Sequence, residues 1–386
     1  MHRAFILPSL FVAALVLSAC HTSGLQDLTP ARETDWTMYG GTMQRTNIAR
    51  ETLHPPLVPV WEYDANAGFS PYAVVAEGGY IFIANLKGEI HAVNIETGKK
   101  ALVHNFGSAI FAGPVIDGSV LYVALSKGQE SFIAFDMKSA STLWKTELGG
   151  IEASPLLVGV RLYVVSLWGG LSCVDKHDGK VLWTYKDSDE SNPSLMRSPP
   201  VSDGTIVVFC RDDGSIFAVK ADSGNLVWRA KVDRAIPSAP LIAEGALYVG
   251  SLDSCFYSFD LSTGAMRWRA KLDGRIFASP ALGSNTVYVG TGSGSVYCLD
   301  RDAGRTEWKF QAQSGISAAP IISGDVIYAG SLDQSLYALD AVHGAKLWSW
   351  KTEGRIKTTP LLHGGYLVLL RDNRTVTAFR EEQVKP

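Results

Sequence analysis

GSLDQSLYALDAVHGAKLWSW, residues 330–350, contains two short runs of alternating residues, each bounded by turn residues. The stretch ends in a strand that carries Trp348, with Gly344 four residues and Asp340 eight residues before this tryptophan. The same spacing recurs upstream about every 40 residues, a period typical of β-propellers, in which each repeat is one four-stranded blade. The further positions that carry the pattern are Trp308, Trp268, Trp228, Trp183, Trp144 and Leu102.

Three copies of the pattern are imperfect. Lys220 replaces the aspartate before Trp228, Ala140 replaces the glycine before Trp144, and Leu102 replaces the tryptophan itself. In the complete copies the aspartate can accept hydrogen bonds from its own turn, and the glycine can adopt the positive φ of a tight return. We expect the indole rings to lie between neighbouring blades as structural docking residues, at Trp61, Trp144, Trp183, Trp228, Trp268, Trp308 and Trp348.

A second marker allows the repeats to be counted. A small residue followed by proline precedes an apolar strand in each unit, and a second strand, a third strand and the tryptophan strand follow. Alternating residues between Gly and Asp turns predict β-strands throughout. The eight pairs are Ser70-Pro71, Gly113-Pro114, Ser154-Pro155, Ser198-Pro199, Ala239-Pro240, Ser279-Pro280, Ala319-Pro320 and Thr359-Pro360.

The two ends of the repeat region predict how the ring closes. The last unit supplies three strands, near residues 359–362, 366–370 and 375–379, and then lacks a tryptophan strand. The strand at 57–63, around Trp61, has no unit before it. Pairing these strands removes an exposed edge. We therefore predict an all-β, eight-bladed β-propeller of four-stranded antiparallel blades over residues 36–380, in which the N-terminal strand completes the last blade.

The first 19 residues have the features of a cleaved export signal. A short basic start precedes a largely apolar run at 4–17, which is too short to span a bilayer as a helix. LSAC, at 17–20, resembles the lipobox of bacterial lipoproteins, in which the cysteine is lipidated. An ordinary secretory signal that ends at a cysteine is the alternative. We expect a signal peptide at 1–19 and a lipid on Cys20.

The remaining segments outside the repeats are short. Residues 20–35 are polar after the cysteine and lack periodicity, which predicts a flexible tether, and residues 381–386 form a tail. His21 rather than Asp follows the cysteine, and by resemblance to lipoprotein sorting this favours the outer membrane. We expect a protein that is lipid-anchored at the periplasmic face of the outer membrane.

Composition excludes some functions. The chain of 386 residues has a formal net charge of −3 and no basic run, so we expect no nucleic-acid partner. Four cysteines remain besides Cys20, the expected lipidation site, in a compartment that permits disulfides. Small buried thiols are favoured over a bridge between the two central ones, Cys210 and Cys255. The four are Cys173, Cys210, Cys255 and Cys298.

The repeated ALDAxxGxxxW pattern resembles the tryptophan-docking repeat of quinoprotein-type eight-bladed propellers over about residues 35–380. Two families share this repeat. Quinoprotein dehydrogenases hold pyrroloquinoline quinone (PQQ) at the axis over a calcium ion, beside a disulfide between adjacent cysteines. This chain has no adjacent cysteines. BamB proteins are outer-membrane lipoproteins that act as scaffolds in the machinery that assembles β-barrel proteins.

The resemblance to BamB implies a non-enzymatic, monomeric propeller within a complex, with protein partners, possible contact with the barrel-assembly machinery, and no cofactor. In that family a loop with leucine and arginine contacts the partner. The long loop at 186–199 is similar to it and carries Leu195, Met196 and Arg197. The aspartate pair of a nearby blade in the family has no counterpart at 235–237. The alternative is a propeller that binds PQQ or another small anion, as an enzyme or a sensor.

Basic residues recur in the connections that lead into the inner strands. These basic residues and Arg197 are expected on one face near the axis, with Glu152 as the acidic residue among them. There a basic funnel could hold an anionic ligand or an acidic segment of a partner. Solvated loop charge is the alternative. No histidine, cysteine or carboxylate spacing predicts a metal site. The funnel residues are Arg234, Arg275, Arg355 and Lys357.

Overall fold

The computed structural model describes residues 24–25, 35–187 and 194–382. None of these residues belongs to a helix that could cross a membrane. The described residues form 32 strands. In chain order they are β1 (Leu57–Asp64), β2 (Val74–Glu77), β3 (Tyr80–Ala84), β4 (Glu89–Asn94), β5 (Lys100–Asn105), β6 (Val115–Asp117), β7 (Val120–Ala124), β8 (Phe132–Asp136), β9 (Ser141–Thr146), β10 (Leu156–Val158), β11 (Arg161–Ser166), β12 (Gly170–Asp175), β13 (Val181–Tyr185), β14 (Val201–Ser202), β15 (Ile206–Cys210), β16 (Ser215–Lys220), β17 (Leu226–Lys231), β18 (Leu241–Ala243), β19 (Ala246–Gly250), β20 (Cys255–Asp260), β21 (Met266–Lys271), β22 (Ala281–Leu282), β23 (Thr286–Gly290), β24 (Ser295–Asp300), β25 (Thr306–Gln311), β26 (Ile321–Ser323), β27 (Val326–Gly330), β28 (Ser335–Asp340), β29 (Lys346–Lys351), β30 (Leu361–His363), β31 (Tyr366–Leu370) and β32 (Thr375–Glu381).

These strands form eight four-stranded antiparallel sheets, and this confirms the predicted eight-bladed propeller. Blades 1 to 7 take four consecutive strands each, from β2–β5 for blade 1 to β26–β29 for blade 7. Blade 8 has the order β1-β32-β31-β30, in which β1 pairs antiparallel with β32. The N-terminal strand therefore completes the last blade, as predicted.

Chain direction gives the ring two distinct faces. We call the face with the connections between blades, and the turns between the second and third strands, the top face. The bottom face carries the turns between the first and second strands and between the third and fourth strands. The inner strand of each blade runs from top to bottom, and the outer strand runs from bottom to top.

Strand bounds differ from the prediction at the closure. β30 begins at Leu361 rather than at residue 359, because Thr358 and Thr359 contact neighbouring blades. The hydroxyl of Thr358 donates to the carbonyl of Ser70 (3.0 Å), and the hydroxyl of Thr359 accepts the N–H of Ala319 (3.3 Å). β32 extends to Glu381, one residue beyond the predicted end of the propeller.

The repeated glycine allows neighbouring blades to pack closely, and we call this contact between glycine and tryptophan the joint between blades. In the complete units this glycine has positive φ and lies against the tryptophan of the preceding blade. A Cβ on Gly264, for example, would be 2.6 Å from the Trp228 ring, and the indole N–H of Trp228 donates to the carbonyl of Leu261 (2.7 Å). The equivalent indole donations join Trp61 to Ile95, Trp144 to Lys176, Trp268 to Arg301 and Trp308 to Ala341.

Two of the seven tryptophans depart from this joint. Trp183 lies against Gly224, but its indole N–H has no hydrogen-bond partner among the described residues. The carbonyl of Ala221, in the acceptor position, accepts the hydroxyl of Tyr163 (2.9 Å), as the equivalent carbonyls of Lys176, Arg301 and Ala341 accept a tyrosine hydroxyl besides the indole. Trp348 faces blade 8, whose outer strand comes from the N-terminus, and packs edge-on against Phe379.

Buried apolar side chains fill the spaces between adjacent blades. One cluster, for example, combines Tyr288 and Cys298 of blade 6 with Ile327 and Leu339 of blade 7. All four cysteines of the described chain are buried and free, which confirms the predicted thiols and excludes the Cys210–Cys255 bridge.

A segment before β1, residues 36–49, crosses the bottom of the axis and is here called the N-terminal strap. Its carbonyls accept hydrogen bonds from N–H groups of the inner strands of blades 1, 2 and 4 to 7, which would otherwise lack partners. Trp36 also forms an isolated antiparallel bridge with Ala76 of blade 1. The other donations come from Ile116 to Thr37, Ser202 to Met43, Ile242 to Gln44, Leu282 to Thr46 and Ile322 to Asn47, at 2.8–3.1 Å.

Candidate functional site

The propeller axis is occupied by side chains of the protein. Arg45 of the strap is fully buried, and its guanidinium donates to the carbonyls of Pro200 (3.2 Å), Ser154 (3.2 Å) and Pro155 (2.9 Å), and to that of Tyr39. Burial lowers the pKa of Arg45 to about 10, so the group stays charged at neutral pH. Four backbone carbonyls thus hold one cation at the centre of the ring.

Two tyrosines continue this filling toward the top face. Tyr72, in the connection into blade 1, donates its hydroxyl to the carbonyl of Pro237 (3.0 Å), in the connection into blade 5. These blades are opposite each other in a ring of eight, so the side chain spans the axis. Tyr39 packs edge-on against Tyr72, with ring centroids 4.7 Å apart. Burial raises the pKa of both hydroxyls, which therefore remain protonated donors.

The quinone site that the resemblance made possible does not fit this axis. A quinone at the centre would have to displace the bridge formed by Arg45, Tyr39 and Tyr72. In the described part of the chain, no three His, Cys, Asp or Glu side chains converge as a metal ion would require. The donor set at the axis is one of carbonyls around a guanidinium, and it offers no carboxylate to a calcium ion.

The predicted funnel cations lie in top-face connections, but three of the five basic side chains considered there are paired with acids. Arg355 and Lys357 both contact Asp372, at 2.7 Å and 3.3 Å. Arg197 contacts Glu152 (3.2 Å) and a second carboxylate, described below. Arg234 and Arg275 are exposed and form no ion pair with a described residue. The funnel stays a prediction, and its available charge is concentrated at the adjacent connections into blades 5 and 6.

The three predicted partner-binding residues differ in exposure. Met196 is 7% exposed and packs in the core between blades 3 and 4, so its side chain is not available to a partner in this conformation. Leu195 is half-buried, and its carbonyl accepts the N–H of Asp212 (2.8 Å). Arg197 is about half exposed and also pairs with Asp212 (3.1 Å). The long loop between these blades falls partly outside the described residues, which exclude 188–193.

A pocket of about 350 Å³ opens beside Leu195 and Arg197, on the top face between blades 3 and 4. Its apolar walls include Tyr185, Met196, Phe209 and Phe217, with the two phenylalanine rings stacked at 5.2 Å. Trp168, at its rim, is 66% exposed. Such a lining suits an aromatic or large aliphatic side chain of a partner.

Charge surrounds this apolar pocket. Arg211 lies in its lining with an 8% exposed side chain and pairs with Asp187 at 2.9 Å. Burial raises the pKa of the nearby Asp212, and Arg197 opposes that rise. The junction therefore combines an apolar cavity with basic and acidic groups at its margin, as protein interfaces commonly do.

The repeat pattern contains a signal for this pocket. Blades 5 and 7 have SLD in the turn between their second and third strands, at 251–253 and 331–333, whereas blade 3 has SLW at 166–168. Asp253 holds its own turn by accepting the N–H of Cys255 (2.7 Å). Trp168 at the equivalent position gives up that hydrogen bond and exposes an indole instead.

An acidic group is buried where the strap meets the bottom of blade 1. Glu77, at the end of β2, is 1% exposed. Burial, with Asp35 and Asp117 adding like charge, raises the pKa of Glu77 to about 7. Asp35 lies 3.6 Å from the imidazole of His363. The attachment of the strap therefore includes a carboxyl that titrates near neutral pH.

Comparisons with known proteins agree with this architecture. The family model "Outer membrane protein assembly factor BamB" matches residues 59–185, 186–274 and 253–383. The outer membrane protein assembly factor BamB of Salmonella typhimurium is 28% identical over 146 residues, 38% of this chain. The chain spans only 36% of the length of that relative.

Two solved structures show the same fold. BamB from Moraxella catarrhalis superposes with a TM-score of 0.72 at 20% identity, over 84% of this chain and 99% of that chain. Quinohemoprotein alcohol dehydrogenase from Comamonas testosteroni has a TM-score of 0.77 at 14% identity, over 92% and 82%. Since the matches to the family model run through all eight blades, this chain belongs to the family of the outer membrane protein assembly factor BamB.

Proposed function

We propose that this protein is a non-enzymatic, lipid-anchored scaffold that binds protein partners through its top face during the assembly of outer-membrane β-barrel proteins. The observation that carries the proposal is the pocket between blades 3 and 4, where an exposed Trp168 and a half-exposed Arg197 lie beside an apolar cavity. Family membership supports the assembly role.

The chemistry of the junction supports a protein partner. An apolar pocket of this size accepts one large side chain, and the surrounding charges orient the polypeptide that carries it. Arg197 is held by Glu152 and Asp212, so an acidic group of a partner would compete with these carboxylates for the guanidinium. The partner proposed is a component of the barrel-assembly machinery, with the propeller as a monomer within the complex.

The anchor is proposed at Cys20, which lies outside the described residues. A lipid on this cysteine would hold the propeller at the periplasmic face of the outer membrane. The mass of the mature chain tests this part of the proposal directly, because acylation and loss of residues 1–19 change it by known amounts.

A second candidate function is binding of PQQ, which the fold shared with a quinohemoprotein alcohol dehydrogenase favours. The residues at the axis argue against it, because Arg45, Tyr39 and Tyr72 fill the position that a central cofactor would take. Titration of the soluble protein with PQQ and calcium separates the two functions. Saturable binding that Tyr72→Ala strengthens would favour the quinone.

The scaffold function is tested by crosslinking and co-purification from outer membranes. We expect the parent chain to recover a barrel-assembly component and Arg197→Glu to lose it, because the new carboxylate would face Glu152 and Asp212. Lys127→Glu is the matched control, since it reverses an exposed cation on the same face that belongs to neither the pocket nor the predicted funnel. Equal recovery by both variants would contradict the assigned surface.

A further inference from the structure

The described residues nearest the predicted anchor, Gly24 and Leu25, lie at the bottom of blade 2. The N–H of Leu25 donates to the carbonyl of Met137 (2.7 Å), and its side chain is 4% exposed. Met137 directly follows the repeat aspartate of blade 2, and in five other blades the residue at this position accepts an indole N–H. Leu25 therefore occupies the place of a docking tryptophan.

This place is vacant because blade 1 has Leu102 where the other blades have tryptophan. Leu25, Leu102, Met137 and Ala140 pack in or against one apolar cluster between blades 1 and 2. The imperfect repeat thus provides a binding slot for the N-terminal segment. Four peptide units separate Cys20 from Gly24, and a chain of that length can span at most about 14 Å.

The outer strands of the four consecutive blades 2 to 5 each carry exposed aliphatic residues near their start. We use the name aliphatic arc for six exposed residues at the beginning, and so at the bottom end, of the outer strands of blades 2 to 5. Each of them is between 39% and 53% exposed. The arc consists of Leu143, Val181, Leu182, Leu226, Val227 and Met266.

The charges on these four strands have one sign. β9, β13, β17 and β21 contain no aspartate or glutamate, and their charged residues are all basic. The outer strands of blades 6 and 8 carry Glu307, Glu62 and Asp64, whereas those of blades 1 and 7 also lack acids, so the arc differs from blades 1 and 7 in its continuous series of exposed aliphatic residues rather than in its charge. Several of the basic groups also pair with acids in neighbouring turns, as Lys145 does with Glu130 (3.0 Å). Exposed aliphatic residues followed by cations suit the surface of an anionic lipid bilayer.

We propose that the aliphatic arc lies against the membrane, so that the propeller stands on the bottom outer edge of blades 2 to 5 and turns its top face away from the lipid. The inference rests on the proposed anchor at Cys20. Docking of Leu25 brings that anchor to blade 2, where the arc begins, and each exposed aliphatic side chain gains free energy when it leaves water. The partner-binding junction on the top face then remains accessible.

Two single labels test this orientation. A nitroxide would be attached through Leu182→Cys in blade 3 or through Leu347→Cys in blade 7, which lies opposite blade 3 in the ring. Both leucines directly precede the docking tryptophan, with exposures of 49% and 50%. The four described native cysteines are at most 1% exposed, which protects them from the label, and Cys20 carries the proposed lipid.

The lipidated full chain would be reconstituted in vesicles of phosphatidylethanolamine and phosphatidylglycerol. We expect the ratio of oxygen to aqueous nickel accessibility to be at least about threefold higher at residue 182 than at residue 347, as for side chains buried in the headgroup region. Adding Leu226→Asp should lower the ratio at residue 182, whereas adding Leu347→Asp should leave it unchanged.

The mass of the reconstituted chain distinguishes the two possible failures. Equal or reversed accessibility in a chain that carries the lipid would overturn the proposed orientation and leave the anchor intact. A mature chain without lipid would overturn the anchor, and the orientation that rests on it would fall with it.

Discussion

Gly344 lies so close to the indole of Trp308 that a Cβ on the glycine would be 2.5 Å from the ring atom Cε3. Gly344 lies in blade 7 and Trp308 in blade 6. The glycine of one repeat therefore makes room for the tryptophan of the preceding repeat. Gly344 also has a φ of 69°. The spacing that defines the repeat in the sequence is therefore a contact between two repeats in space.

Gly344→Ala should destabilise the propeller by about 2–4 kcal/mol, because it combines left-handed backbone strain with overpacking against the Trp308 ring. Urea denaturation followed by tryptophan fluorescence measures this loss. Ala140→Gly is the matched control: residue 140 has a φ of 52° and follows a blade without the tryptophan. Its effect should stay within about 1 kcal/mol of the parent, and a similar loss in both variants would show that the contact with the indole is not the cause.

The imperfect copies at Leu102 and Ala140 form one joint, and a double-mutant cycle can test it. Leu102→Trp alone should destabilise the fold by about 1–3 kcal/mol, since the indole would meet the Cβ of Ala140. Adding Ala140→Gly should restore most of that stability, which gives a favourable coupling of similar size. Additive effects of the two substitutions would contradict the joint.

The same cycle has a second readout at the N-terminus. A tryptophan at residue 102 would bring its indole N–H to the carbonyl of Met137, which now accepts the N–H of Leu25. In the restored double variant the amide of Leu25 should therefore lose protection from hydrogen exchange. Retained protection would mean that Leu25 is held by contacts other than the tryptophan slot.

Much of this architecture could be predicted from the sequence, because the spacing of Asp, Gly and Trp repeats with each blade. The blade count follows from the eight pairs of a small residue and proline, and the closure follows from the unpaired strand around Trp61 and the three strands at the C-terminal end. The strap does not repeat, and its hydrogen bonds exist only once the ring has closed around it. Arg45 gives no local signal for the same reason, since its acceptors at Ser154, Pro155 and Pro200 are distant in the chain.

The candidate site was predicted in part. The length of the loop before Arg197 indicated the junction at which the pocket lies, but the pattern could not distinguish a buried Met196 from an exposed one, because burial there depends on packing against the neighbouring blade. The sequence also could not show which of the predicted funnel cations are neutralised by acids. Asp372 pairs with Arg355 and Lys357, but it lies in a different turn, and the repeat pattern did not indicate that this turn is near them.

Glu77 should make stability depend on pH. Burial raises its pKa from 4.5 in the unfolded chain to about 7 in the folded protein. The folded state therefore holds this proton more tightly, so its contribution to stability is fully present below about pH 4.5 and is lost as the pH rises through 7. Asp35 and Asp117, which face Glu77, strengthen this effect.

Glu77→Gln removes the titration and keeps the size of the side chain. At pH 8 we expect this variant to be more stable than the parent by about 1–3 kcal/mol, with a smaller difference at pH 5. Urea denaturation at both pH values measures the difference. Glu353→Gln, which changes an exposed carboxylate, should be neutral at both, and a Glu77→Gln effect independent of pH would contradict the titration of this group.

Trp168→Asp tests the role of the pocket in binding without disturbing the fold, because aspartate is the residue that blades 5 and 7 carry at this position. The substitution converts the SLW turn of blade 3 to the SLD found in blades 5 and 7, where Asp253 accepts the N–H of Cys255. The change should therefore leave stability within about 0.5 kcal/mol of the parent, as exposed substitutions usually do.

Partner capture should respond very differently. Removal of the exposed indole from the pocket rim should cost about 2 kcal/mol or more of binding free energy if Trp168 anchors the partner, since tryptophan is enriched among the dominant residues of interfaces. A quantitative pull-down from outer membranes would then recover roughly thirtyfold less partner at limiting concentration. Val342→Asp is the control, because it removes an exposed apolar residue (69%) from the bottom face. Undiminished capture by Trp168→Asp would show that the partner binds elsewhere on the ring.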